Sequence, residues 1–92
     1  MTDTVRRVLN IVNEKGLHAR ASAKLVEVVE DHDAQATVRR DGREASGDSI
    51  MGLLMLAASR GTSIEVETSG PEAEKLADAL EALVADRFGE DF

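Results

Sequence analysis

Two hydrophobic periods alternate along the chain, and this alternation constrains the fold more than any other feature of the sequence. Apolar residues recur at every second position, as in strands, over Val5–Val12, Ala36–Arg40, Arg43–Ser46 and Thr62–Thr68. They recur at helical spacing over Ala19–Glu30, Ile50–Ala58 and the segment that follows Pro71. The order βαββαβα, with one apolar stripe on each helix to bury, predicts an open-faced α+β sandwich.

Turn residues separate these segments. Asp41 and Gly42 stand between two strand patterns and predict a two-residue hairpin, whose central positions both need positive φ. Gly70 and Pro71 predict the start of the last helix, because proline suits the first helical position. The tail from Gly89 to Phe92 is expected to be loose.

Composition limits the possible functions. The 92 residues predict one domain, 1–92, and with two Phe and no Trp or Tyr its core consists of small aliphatic side chains. That core leaves no deep cavity for a cofactor, and the absence of cysteine removes thiolate metal sites, so neither is expected. The net charge of −7 opposes nucleic acid as a partner. No apolar run is long enough for a membrane span, and a cytoplasmic location is expected.

The segment from Gly16 to Ser22 carries the strongest chemical signal. His18 lies where a strand pattern stops and a helical one begins, so the unpaired N–H groups of the first helical turn, at Ala19 and Arg20, form an anion site beside it. The Arg20 side chain adds a planar cation suited to phosphate. Histidine is also a poor helix cap, which indicates selection for function. We interpret His18 as a residue that is transiently phosphorylated.

A second segment of interest begins at Ser49, which is available as the cap of the next helix. The apolar run that follows is too long for a single buried stripe. If Leu53 and Leu56 enter the core, other side chains stay partly exposed and predict a partner surface, namely Met51, Leu54 and Met55.

These two segments, Gly16-Leu17-His18-Ala19-Arg20 and Ser49-Ile50-Met51-Gly52-Leu53, together with their spacing and the hairpin, resemble the signatures of HPr. HPr is the histidine-containing phosphocarrier of the bacterial phosphotransferase system, and the resemblance spans about Val5 to Val84. It implies a four-stranded antiparallel sheet with three helices on one face. It also implies a carrier, not an enzyme, and a monomer.

The resemblance assigns roles to individual residues. The histidine matching His18 accepts phosphate from enzyme I and passes it to a IIA-type protein, assisted by the arginine matching Arg20. The serine matching Ser49 is the target of an HPr kinase/phosphorylase in many members. Partners dock on apolar side chains, which here are Ile50, Met51, Leu54 and Met55, and we expect Leu17 to join them in an apolar rim beside His18.

Two positions of this sequence differ from the usual pattern of the family. Ala21 stands where most members have proline, and Asp48 stands where lysine is common, so that a carboxylate lies beside Ser49 and disfavours a second anion. Leu53–Leu56, Ile64–Glu67 and the acidic tail resemble the nitrogen-related branch of the family. Ser49–Gly52 resembles members from alphaproteobacteria, and sugar uptake and nitrogen or carbon regulation both stay open as roles.

The residues of both segments leave other interpretations open. The chain could be an interaction domain in which His18 is incidental, or a small acylphosphate hydrolase. The hydrolase would need a phosphate loop rich in glycine and arginine, and none follows the first strand. Ser49 could be only a helix cap. His32 lies near a helix end and is expected to be structural.

Overall fold

The computed structural model describes residues 4–92, and its secondary structure follows the predicted order. The strands are β1 (Thr4–Asn10), β2 (Gln35–Arg40), β3 (Arg43–Ser46) and β4 (Ser63–Ser69). The helices are α1 (Ala19–Glu30), α2 (Ile50–Met55) and α3 (Ala73–Ala85), and a 3-10 turn, Arg87–Gly89, follows them. The predicted α+β class is confirmed, as are the bounds of α1 and β3.

The four strands form one antiparallel sheet in the order β1-β4-β2-β3. Side chains of β4 alternate between its faces, so that Ile64 and Val66 are buried under the helices while Glu65 and Glu67 lie on the open face. The core between sheet and helices is mostly aliphatic, as predicted. Its fully buried side chains include Leu25, Leu53, Leu76, Leu80 and Phe88.

The hairpin between β2 and β3 has the predicted geometry, with φ of 53° at Asp41 and 79° at Gly42. Its two flanking arginines reach across to the end of α2. Arg40 donates to the carbonyl of Leu56 and Arg43 to that of Met55, each at 3.0 Å. These cations satisfy carbonyls at the end of α2. The helix ends at Met55, three residues earlier than predicted, and the chain leaves the helical conformation at Ala57, where φ is 52°.

The open face of the sheet is charged. Arg39 pairs with Glu44 at 2.8 Å, Glu65 at 3.2 Å and Glu67 at 2.8 Å. The hydrogen bond from Arg39 holds the pKa of the Glu67 carboxyl below its ordinary value. These pairs are solvated and contribute little to stability individually. Within residues 4–92, no helix is both long and apolar enough to cross a membrane.

The tail differs most from its prediction, because it is folded back onto the body of the protein. Phe88 is fully buried, and its carbonyl accepts a hydrogen bond from Lys24 Nζ at 2.6 Å. The turn is made by positive φ at Arg87, Phe88 and Gly89. Each non-glycine residue in that region costs about 1–2 kcal/mol, which the burial of Phe88 offsets. The expectation of a loose tail was wrong because it rested on the terminal position alone and ignored this aromatic anchor.

Candidate functional site

His18 is the residue that precedes the first turn of α1, as the sequence predicts. Its backbone is extended, with φ −77° and ψ −176°, and among the residues that the structure describes its side chain makes no capping hydrogen bond. Its carbonyl accepts the N–H of Ser22 at 2.8 Å. The N–H groups of Ala19, Arg20 and Ala21 find no acceptor among residues 4–92, and the start of α1 is open.

The loop that delivers His18 is held tightly from behind. Gly16 has φ +65°, and a Cβ at this position would lie 2.5 Å from the carbonyl oxygen of Ala58, so only glycine fits. Leu17 then donates its N–H to the same oxygen at 2.8 Å. The hydroxyl of buried Ser22 donates to the Leu17 carbonyl at 3.2 Å. These contacts set the position of the His18 backbone before any ligand arrives.

A cleft of about 380 Å³ opens in front of His18. Its lining includes the cationic residues Lys15, Arg20 and Lys24 and the folded-back tail, residues 89–92. Arg20 forms no ion pair with any residue in the range 4–92 and is exposed. The structure thus brings His18, Arg20 and the open helix start together, as predicted.

Two further residues complete the site, and sequence reasoning missed both. Glu90 Oε2 is hydrogen-bonded to His18 Nε2. Asn13 is fully buried, and its Nδ2 donates to the Gly16 carbonyl at 2.9 Å and to Glu90 Oε1 at 3.0 Å. The usable signals were weak: an asparagine between an apolar strand and a glycine, and a phenylalanine just ahead of the acidic tail.

The environment of Glu90 keeps it ionised. The Asn13 amide and, after it, His18 and Lys15 hold the pKa of this carboxyl below its ordinary value of 4.5, against an opposing effect of partial burial. At neutral pH Glu90 is therefore a carboxylate, which can only accept hydrogen bonds.

The start of α2 is closed, in contrast to that of α1. Ser49 Oγ accepts the N–H of Gly52 at 3.0 Å, so Ser49 does cap the helix. Asp48 accepts a hydrogen bond from the Ser46 hydroxyl at 2.6 Å and lies exposed beside it.

The apolar residues predicted to dock partners divide into two groups. Met51 is 70% exposed, Met55 66% and Ile50 40%, while Leu54 is half-buried and shares a shallow groove with His18. Leu17 lines the same groove beside His18, but it is only 4% exposed and packs in the core, with its N–H bonded to Ala58. Its part in docking stays a prediction.

His32 lies at the far end of α1. Its Nδ1 is hydrogen-bonded to the Val28 carbonyl at 2.7 Å, the bonded structural histidine that was expected. No group of three potential metal ligands comes together within the part of the chain that the structure describes.

The sequence that forms this site is similar to that of known proteins. Residues 5–86 match the family model described as the PTS HPr component phosphorylation site. The chain belongs to the HPr family. The phosphocarrier protein HPr of Cupriavidus necator is 46% identical over 86 residues, covering 94% of this chain and 97% of that protein. The phosphocarrier protein NPr of Escherichia coli K12 is 42% identical over 89 residues, covering 96% and 99%.

Solved HPr structures agree. The crystal structure of HPr-C-His from Thermoanaerobacter tengcongensis superposes with a TM-score of 0.90 at 31% identity, covering 96% of this chain and 99% of that one. Membership of the HPr family gives this chain the general role of a phosphocarrier in the phosphotransferase system, a carrier that works with other proteins of that system and is not itself a catalyst. Relatives named HPr and NPr match at similar identity, so identity does not separate the two branches.

Proposed function

We propose that His18 is the phosphate acceptor of this carrier, that enzyme I is the donor, and that a IIA-type protein receives the group. One observation carries the proposal: His18 stands at the open start of α1, where the backbone donors and the Arg20 guanidinium have no partner among the described residues 4–92. That set combines a nucleophile with a preformed anion site.

The step is an in-line exchange. The lone pair of a His18 ring nitrogen forms a bond to phosphorus as the bond between phosphorus and the donor breaks, and the electron pair leaves with the donor. The N–H groups of Ala19 and Arg20 hold the phosphoryl oxygens, and the Arg20 side chain offsets their charge. The reverse step delivers the group to the next protein.

Docking is assigned to the exposed face of α2. Ile50, Met51 and Met55 are apolar and accessible, and Leu54 carries this surface to the groove beside His18. Methionine side chains adapt to different partners, which suits a carrier that must bind both a donor and an acceptor protein.

Ser49 supports a second, regulatory function, as the target of an HPr kinase/phosphorylase. Ser49 is half-buried, and it lies at the start of the helix that bears the docking surface. A phosphate there would add close to two negative charges next to that surface. Asp48 works against the modification by like-charge repulsion.

Intact mass after incubation with phosphoenolpyruvate and enzyme I tests the acceptor. We expect one phosphate on the wild-type chain, lost in acid and retained in base, none on His18→Ala, and one on the matched control His32→Ala. Phosphate on a folded His18→Ala variant would overturn the assignment. A chain that binds enzyme I but never gains mass would instead be an interaction domain, and steady release of phosphate would indicate a hydrolase.

A further inference from the structure

The hydrogen bonds around His18 form a chain with a defined direction. Asn13 Nδ2 donates to the Gly16 carbonyl and to Glu90 Oε1, and Glu90 Oε2 meets His18 Nε2. The Gly16 atom that the Asn13 side chain contacts is a carbonyl oxygen, which can only accept, so the Asn13 amide must present its nitrogen to the loop. The orientation of Asn13 in turn requires an acceptor at Glu90.

These contacts also fix the direction of the hydrogen bond between Glu90 and His18. Both oxygens of the Glu90 carboxylate accept, so the proton between Glu90 and His18 belongs to Nε2. In the neutral ring the other nitrogen, Nδ1, then carries the lone pair. Nδ1 has no hydrogen-bond partner within residues 4–92.

We infer that Glu90, held by Asn13, is a positioning residue that fixes the Nε2–H tautomer of His18 and so makes Nδ1 the nucleophile. The inference rests on the proposed function, since Glu90 would prepare His18 to accept the phosphate. When Nδ1 bonds to phosphorus, the proton stays on Nε2 and the ring gains positive charge. The Glu90 carboxylate accepts that proton's hydrogen bond and stabilises the charge, as a carboxylate partner does for other functional histidines.

The tail is built to keep Glu90 in place. Phe88, two residues earlier, is fully buried, and Lys24 binds its carbonyl at 2.6 Å. On the other side of Glu90, the carbonyl of Phe92 accepts the N–H of Glu14 at 3.0 Å. The side chain of Glu90 is only 16% exposed, far below the 53% and 63% of Glu81 and Asp78 on α3.

Other charged groups share the cleft, but none of them reaches a ring nitrogen of His18 in the same way. Glu14 and Lys15 come from the loop, Arg20 and Lys24 from α1, and Asp91 from the tail. Among residues 4–92 only Glu90 is hydrogen-bonded to the His18 ring. The effect is therefore specific to one side chain.

Glu90→Gln tests the inference by changing one atom. Asn13 still presents its amide nitrogen, so the Gln oxygen turns toward Asn13 and the Gln amide nitrogen toward His18. That amide nitrogen donates to Nε2, and the neutral ring is driven to the Nδ1–H tautomer, whose nucleophilic nitrogen is blocked. Glu90→Ala removes the partner without imposing the wrong tautomer. Asp86→Asn, an exposed residue at the end of α3, is the charge-matched control.

The measurements are the ¹⁵N chemical shifts of the His18 ring in the free protein above pH 8 and the kinetics of phosphoryl transfer from enzyme I. We expect the Nε2–H form in the wild type and Asp86→Asn, a mixture in Glu90→Ala, and the Nδ1–H form in Glu90→Gln. We expect kcat to fall about tenfold in Glu90→Gln and less in Glu90→Ala, with KM unchanged.

The inference is overturned if the wild-type ring is Nδ1–H or mixed, or if Glu90→Gln leaves both tautomer and kcat unaltered. It is also overturned if either variant transfers phosphate faster, because the tail would then be a cover that has to leave. The tautomer is read without phosphate, so its outcome is independent of whether His18→Ala loses phosphate acceptance.

Discussion

The starts of α1 and α2 occupy similar places in the order of elements, since each follows a strand and a connecting segment, yet they differ in how their first N–H groups are bonded. At α2 the cap closes its own helix, because Ser49 Oγ accepts the N–H of Gly52 at 3.0 Å. At α1 the residue in the same position, His18, leaves the first N–H groups with no partner in the described part of the chain, and its ring bonds Glu90 instead.

One helix start therefore contributes to stability, and the other contributes to chemistry. A closed helix start gains about 0.5–2 kcal/mol from its cap, whereas an open one keeps its donors for an anion. In this protein the closed start carries the exposed apolar surface, and the open start carries the nucleophile. A phosphocarrier needs both, placed side by side.

The largest effect is expected when a capping residue replaces His18 at the open start of α1. We expect His18→Ser to lose phosphate acceptance entirely while gaining about 0.5–1 kcal/mol of stability, because serine can accept an N–H of the first turn. Chemical denaturation and intact mass measure the two effects. Lower stability in His18→Ser than in His18→Ala would show that the start of α1 is satisfied in some other way.

The next effect concerns docking on α2. Met51→Glu places a charge on a side chain that is 70% exposed, so the fold should tolerate it while partners should not. We expect KM for phosphoryl transfer to rise about tenfold, equivalent to about 1.4 kcal/mol, with kcat unchanged. Val8→Glu, equally exposed on the open face of the sheet, is the control and should leave KM as it is. A loss of thermal stability typical of a core lesion in Met51→Glu would contradict this assignment.

The smallest effect is expected at the closed start itself. Ser49→Asp retains a capping oxygen and adds one negative charge at the positive end of α2, so the circular dichroism spectrum should not change. We expect binding of enzyme I to weaken about threefold through charge beside the docking surface. Ser49→Ala removes the capping oxygen and leaves the charge unchanged. It should lower stability by about 1 kcal/mol and leave binding of enzyme I normal. If Ser49→Asp transfers phosphate like the wild type at every enzyme I concentration, Ser49 acts only as a helix cap.

Local patterns were sufficient for most of the fold and for half of the site. The α1 bounds, the hairpin at Asp41-Gly42, and the placing of His18 beside Arg20 at a helix start all depend on residues close together in the chain. Hydrophobic period, turn preference and capping preference act over a few residues, and a single sequence expresses them directly.

The other half of the site is made by contacts between distant parts of the chain. Glu90 meets His18 across 72 positions, Asn13 meets Glu90 across 77, and Arg40 and Arg43 donate from the neighbouring hairpin to the last carbonyls of α2. Leu17 is buried because Ala58 holds its backbone, and no local pattern contains that contact.

The sequence by itself therefore determined the order of the elements, the apolar core and the position of the nucleophile, because these follow from short-range periodicity and backbone preference. Only the tertiary structure decided which apolar residues stay exposed, where the tail lies, and which nitrogen of His18 faces a carboxylate. The physical reason is that these outcomes depend on contacts between residues far apart in the chain. For the tail and the imidazole the contact is the burial of Phe88, which brings Glu90, two residues later, against His18.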